Sequence, residues 1–356
     1  MTPKHLSTIA FFCLLIALPV GLIISAKAQQ TSTTQKTKGQ DEKPAVATNY
    51  RISGPYTHKN LTIFLVHGKD LLPGKNFLTL QEALAQKKVR VYETKEVNEL
   101  AIKNFSNQDV YVQAGDIVRG GEQDRMISID FIVPPRSGRM PIAAFCVESG
   151  RWSKRGEEQA AYFSSSENIA ATKELKLAAK SAQSQDAVWQ NVSAAQEKLA
   201  ASVQAVVAIE ASPTSYELSV ESAKVKETTA SYVTALNNIM RNKSDVIGFV
   251  FAINGHVNSA DIYASHALFT KLWPKLLKAT AVEAIGELDQ TAKAEPVVDE
   301  TIHTFLADSE RPKSKSKEVT PRVRVVTRED ETNVFFETQD RSQKDTWVHR
   351  NYIRKQ

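Results

Sequence analysis

The sequence predicts an α+β protein: a β-rich N-terminal half of sandwich or barrel type, then helices and a β-hairpin, then a short β-rich C-terminal extension. Three observations predict it. Short apolar alternations separated by Gly, Pro, Asn and Asp crowd residues 61–148, one apolar stripe at helical spacing starts at Val188, and Asn254-Gly255 divides two β-type runs.

The chain opens with Lys4 and His5 ahead of an apolar run from Ile9 to Ile24, followed by Ala26-Lys27-Ala28. That run is too short to span a bilayer, and the small-residue pattern sets residues 1–28 as a secretory signal cut after Ala28, which makes the protein periplasmic or extracellular. An uncleaved N-terminal anchor is the alternative, although Pro19 and Gly21 weaken a long helix there. Residues 29–49 are polar and rich in Thr, Gln and Lys, too poor in apolar surface to offset the entropy of ordering, and form a flexible leader. No stable membrane span is expected once the signal is removed.

Residues 50–290 carry the main domain. The runs "LTIFLV", "VRVYE", "DVYVQAGDIV", "MISIDFIV" and "IAAFCVE" are strands, and Ile127, Ile129, Phe131 and Val133 alternate with Ser128 and Asp130 as in a half-buried strand. Thr79–Leu84 forms a short helical turn, and residues 152–185, rich in Ser, Ala, Lys, Glu and Gln, a weakly ordered connector. Val188, Val192, Ala195, Leu199, Val203 and Val206 lay one stripe along a helix from Asp186 to Ile209; Ser212-Pro213 interrupts, and a second helix runs to about Met240. Asn254-Gly255 suits a type I′ hairpin turn. Ser265 caps a last helix carrying Leu268, Leu272, Leu276 and Leu277, with Pro274 expected to kink it. Residues 291–356 form a basic extension with the strands "VRVV" and "NVFFE"; residues 311–356 hold 12 basic against 7 acidic side chains.

With 45 Lys+Arg and 40 Asp+Glu, the chain has no charge excess that demands nucleic acid. Of its two cysteines, Cys13 lies in the signal, so Cys146 is alone afterwards and no internal disulfide can form. Flanked by Phe145 and Val147, Cys146 is expected to be a buried, inert thiol. No metal site and no cofactor are predicted.

The densest chemistry lies in "AGDIVRGGEQDR", "VPPRSGRMP" and "FCVESGRW", three polar clusters at strand ends. If they converge, they gather Asp116, Arg119, Glu122, Gln123, Asp124, Arg125, Arg136, Arg139, Cys146, Glu148, Arg151 and Trp152 around Gly120 and Gly121. Guanidinium forks suit bidentate contact with carboxylate or phosphate, and Gly120-Gly121 lets backbone N–H groups approach an anion. Two readings are open at this point: a site that holds an anionic ligand, or arginines and carboxylates neutralising one another to fix the loops. Trp152 either stacks on a ligand or packs under the loop.

The same segments, with "NLTIFLVHG", "TLQEALAQKKVRVYE", "VWQNV", "PTSYE" and "GFVFAING", resemble the ARG and Rhodanese-Phosphatase-superfamily-associated Protein (ARPP) domain family across Asn60–Ile285. The resemblance implies an association with ADP-ribosylglycohydrolase and phosphatase-type proteins, hence with ADP-ribose or phosphorylated ligands, and no settled activity. The signal and the basic tail depart from the family picture. Three functions follow in order: an exported binding module for an anionic small molecule, glycan or envelope protein; a hydrolase of phosphorylated or ADP-ribosyl substrates with Glu122, Asp124 or Glu148 as acid or base; and a structural envelope protein.

Overall fold

The computed structural model describes residues 50–289, 291 and 296–355; the expected signal and leader lie outside them. In chain order the strands are β1 (Arg51–His58), β2 (Leu61–His67), β3 (Leu78–Thr79), β4 (Val89–Glu93), β5 (Glu99–Asn104), β6 (Val110–Val112), β7 (Asp116–Gly120), β8 (Arg125–Ile127), β9 (Phe131–Val133), β10 (Met140–Cys146), β11 (Tyr162–Ile169), β12 (Val246–Ile253), β13 (His256–Tyr263), β14 (Ser314–Glu318), β15 (Val323–Glu329), β16 (Asn333–Asp340) and β17 (Thr346–Arg354). The helices are α1 (Leu80–Ala85), α2 (Lys173–Leu177), α3 (Gln185–Val203), α4 (Tyr216–Val220), α5 (Ala223–Leu236), α6 (His266–Gly286) and α7 (Asp299–Glu310).

These strands make an eight-stranded sheet in the order β1-β2-β12-β13-β17-β16-β15-β14, a closed six-stranded barrel β10-β5-β4-β11-β7-β8, and a small sheet β3-β6-β9. The fold is α+β, as the sequence implies. Both faces of the large sheet are covered: Leu61, Ile63 and Leu65 of β2 join the core shared with the barrel and helices, while Phe64 and Val66 pack with Ile302, Phe305 and Leu306 of α7. Burial on both sides is why "LTIFLV" is continuously apolar instead of alternating.

The helices follow their signals closely. In α1, Thr79 and Glu82 form a reciprocal capping box. In α3, Val188, Val192, Ala195, Leu199 and Val203 are buried, each apolar side chain contributing on the order of 1–3 kcal/mol. That helix stops at Val203 because Gln204 turns left-handed, so Val206, expected as the last of the stripe, is 82% exposed. The Ser265 hydroxyl accepts from the Leu268 N–H to start α6, which retains Pro274 within it. Asn254 and Gly255 both have positive φ (52° and 81°), as a type I′ turn requires.

Three expectations need correction. The connector expected over residues 152–185 contains β11, which closes the barrel by pairing with β4 and β7; its "YFSSSENI", polar at five consecutive positions, does not read as a strand. "MISIDFIV" is not one strand but two, β8 in the barrel and β9 in the small sheet, and Asp130 between them is 2% exposed. The strands near the C-terminus are not appended: β17 lies between β13 and β16, so one sheet crosses the boundary expected at residue 290.

Asp130 is buried because a partner waits for it. His349 of β17 directs Nδ1 at Asp130 (2.8 Å) and Nε2 at Asp261 of β13 (3.0 Å), and stacks on Tyr263 at 4.4 Å between centroids. Ala114 N–H and Thr338 Oγ donate to Asp130, and Asn351 Nδ2 donates to Asp261. Burial opposes the charge on all three groups, yet the carboxylates hold the His349 imidazole above its usual range while His349 holds both carboxylates below theirs. With a carboxylate on each ring nitrogen, His349 is the doubly protonated imidazolium.

A raised imidazole pKa stabilises fully below the unfolded value near 6.5 and is lost as pH rises through the folded value; the depressed carboxylates lose their contribution only in strong acid. His349→Gln is therefore expected to cost about 3–5 kcal/mol in denaturant melts at pH 6, by stranding two buried carboxylates. The gap between wild type and variant should narrow in melts at progressively alkaline pH, and a constant gap would remove His349 as the charged member.

Candidate functional site

Topology decides which sequence clusters can meet. In an antiparallel barrel the β7–β8 loop, the end of β4, the end of β10 and the approach to β11 all lie at one rim. "VRGGEQDR" and "ESGRW" are both there. "VPPRSG" precedes β10 and "ESGRW" follows it, so they occupy opposite ends of the same seven-residue strand, on the order of 20 Å apart. Asp116, at the start of β7, is likewise at the far end, where Lys275 Nζ bonds it at 2.7 Å.

At the near rim, Gly120 and Gly121 have φ of +116° and +57°. A Cβ on Gly121 would lie 2.4 Å from Phe163 Cζ, so the turn packs too tightly for a side chain. This tight path swings Asp124 back, and its Oδ1 accepts from the Gly120 N–H at 3.1 Å. Asp124 and Glu148 are both fully buried. Arg155 forks onto Asp124 at 2.9 and 3.1 Å, Ser215 Oγ adds a bond at 3.3 Å, and the Asp124 N–H donates to Glu148 at 2.5 Å. Glu148 also accepts from Arg151 Nε at 3.0 Å, from Arg151 Nη2, and from Ser212 Oγ at 2.6 Å. Burial and the neighbouring Glu148 charge push the Asp124 carboxyl up against the pull of Arg155; for Glu148 burial is outweighed by Arg151, Ser212 and the Asp124 amide, which bring it below its usual range.

Arg125, only 1% exposed, donates to Val97 O in the β4–β5 loop at 2.5 Å and to Cys146 Sγ at 2.8 Å, with Glu93 at 3.5 Å. Cys146 is fully buried, and burial pushes its thiol up to about 11, which leaves it un-ionised at neutral pH. Arg119, about a quarter exposed, faces Glu158, Glu217 and Glu221. Glu122 donates its N–H to Glu93, and the Gln123 carboxamide is fully buried without a hydrogen-bond partner among the described residues. Trp152 is 51% exposed, so it does not pack under the loop.

The rim therefore pairs Arg119, Arg125, Arg151 and Arg155 with six carboxylates, Glu93, Asp124, Glu148, Glu158, Glu217 and Glu221. Arg155 carries no motif that sequence could flag, since it sits in the Ser/Lys/Glu-rich segment taken for a connector, and nothing local marks Ser212 and Ser215 as donors to Glu148 and Asp124. Arg136 and Arg139 stand outside this network. Arg136 is exposed, its Nε donating to Asn107 Oδ1 at 2.5 Å, and the Arg139 guanidinium sits 4.0 Å from the centre of the Tyr92 ring. Among the described residues, no group of three or more His, Cys, Asp or Glu is disposed to hold a metal ion, and no helix is long and apolar enough to cross a membrane.

The profile of the ARG and Rhodanese-Phosphatase-superfamily-associated Protein domain matches residues 49–353. The chain belongs to this family. The match takes in β17 and the strands beside it, so the C-terminal strands are part of the ARPP domain, beyond the Ile285 limit read from sequence. No curated protein and no solved structure matches the chain.

Breaking the Asp124 clamp tests the rim as framework. Arg155→Ala leaves a fully buried carboxylate without its bidentate partner and is expected to destabilise by about 3–5 kcal/mol in urea melts. Arg155→Ala with Asp124→Asn should recover part of that loss, whereas additive losses would deny the coupling.

Proposed function

We propose that this ARPP domain is a binding module for an anionic ligand, and that the residues presenting it are the arginines outside the rim network. One observation carries the reading: Arg136 and Arg139 are exposed and make no ion pair among the described residues, while Arg125, Arg151 and Arg155 are taken up by carboxylates. Six acids against four arginines at the rim repel an anion, so Arg119, Arg125 and Arg151, with Gly120, Gly121 and Gln123, act as framework. Hydrolysis is the second reading. Its support is the opposed pKa shifts of Asp124 and Glu148, the pattern of an acid and a base. Against it, neither carboxylate is solvent-exposed and each oxygen already accepts a hydrogen bond. Export, from the Ile9–Ile24 run and Ala26-Lys27-Ala28, would place the ligand in the envelope or outside the cell.

The test is a thermal-shift titration with citrate, sulfate and inorganic phosphate against glucose as neutral control. A ligand at 100 times its Kd adds about 2.7 kcal/mol. The shift should appear with the anions, vanish in Arg136→Ala/Arg139→Ala and survive in Arg119→Ala; loss only in Arg119→Ala would return the site to the rim. Sequencing of the native N-terminus should begin at Gln29, and an intact Met1 in a cytosolic fraction would remove the envelope setting.

A further inference from the structure

The outer wall of the barrel carries an arrangement that ordinary sheet chemistry avoids. Arg90 of β4 pairs directly with Lys103 of β5. The β10–β5 register begins at Met140↔Ile102 and continues with Pro141↔Ala101, which sets Arg139, one residue earlier, opposite Lys103. Three cations thus stand side by side across three strands, about 4.8 Å from one strand to the next. Like charges directly opposite one another destabilise a sheet. None of the three makes an ion pair among the described residues, although this chain pairs most of its buried charges.

Aromatic rings hold the row in place. The adjoining cross-strand row is Pro141, Ala101, Tyr92 and Tyr162. Arg139 lies over Tyr92 at 4.0 Å, Arg90 over Tyr162 at 4.6 Å, and Phe105 at the end of β5 takes Lys103 at 5.1 Å and Arg90 at 5.9 Å. Tyr92 and Tyr162 meet edge to face at 5.5 Å. The rings keep the cations lying on the wall and offset part of their mutual repulsion.

We propose that this row, Arg139–Lys103–Arg90 with Arg136 beyond it, binds an extended polyanion whose charges follow one another along a chain, of the class of carboxylated polysaccharides. The inference rests on the anion-binding reading above and deepens it from a point site to a strip. A row of cations on adjacent strands of a convex barrel wall matches a repeating charge better than a compact phosphate, which a concave nest would hold. Base stacking of single-stranded nucleic acid uses free aromatic faces, and this wall has few: Tyr92 is 8% exposed beneath Arg139, while the more exposed Phe105 (46%) and Tyr162 (39%) each have a cation over the ring.

The experiment measures affinity of the full chain for polygalacturonate, for galacturonic acid monomer, for neutral dextran and for a single-stranded oligonucleotide, between 50 and 200 mM salt. Polygalacturonate should bind at least tenfold more tightly per sugar than the monomer, weaken with salt, and lose at least tenfold in Arg90→Gln/Lys103→Gln, a surface change whose melting temperature verifies folding. That double variant should keep the small-anion thermal shift assigned to Arg136 and Arg139. If small anions bind but the polymer gains nothing over its monomer, or the double variant binds it unchanged, the strip fails and the anion site stands. If no anion binds, both fail. Oligonucleotide binding as tight as polygalacturonate would overturn the assignment to polysaccharide.

Discussion

The imidazolium of His349 is the constraint on which the described fold depends, because its two carboxylate partners belong to different layers. Asp261 sits in the centre of the large sheet, and Asp130 sits on the link between the barrel strand β8 and the small-sheet strand β9. A charged group in low dielectric is costly unless paired and hydrogen-bonded, and the cost of leaving one of these three alone exceeds any single packing contact nearby. Barrel, small sheet and large sheet are therefore held in one mutual register by a short polar chain, around which the apolar core is continuous.

A second buried set performs a comparable task at the barrel rim. Asp124 and Glu148 bring together the β7–β8 loop, the segment after β10, and the serines 212 and 215 that precede and cap α4. Here serine hydroxyls and arginine forks supply the compensation, and the glycines at 120 and 121 supply the path. Most of the arginines and carboxylates of these two sequence clusters are thus paired with one another, while Arg90, Lys103 and Arg139 on the barrel wall make no ion pair among the described residues.

How much was legible in the sequence follows from what each element depends on. Elements set by local rules were readable: the Thr79–Glu82 capping box, the Ser265 cap, the Asn254-Gly255 turn and the stripe through Val188 to Val203 each need only neighbours a few residues away. Elements set by distant partners were not. Asp130 reads as an outward position of an alternating strand, because nothing near it reveals His349, 219 residues on. The strand Tyr162–Ile169 is polar partly because Ser164 and Glu167 face solvent and partly because the buried Ser166 bonds the distant, buried Glu217. Grouping "PPRSG" with "ESGRW" failed for a simpler reason, since two clusters flanking a single strand are driven apart by its length. Arg155 gave no local sign of its role as the clamp on Asp124.

The position of β17 affects how the chain comes into being. The strand nearest the C-terminus lies inside the large sheet, between β13 and β16, and it also brings His349. While the protein is synthesised, β13 waits with an open edge through some eighty residues of translation, and the Asp130–Asp261 pair waits without its cation. Pairings of such sequence separation carry the loop-closure cost that slows folding. Until β17 has been made, the nascent chain therefore carries an unpaired β edge of the kind that mispairs and aggregates.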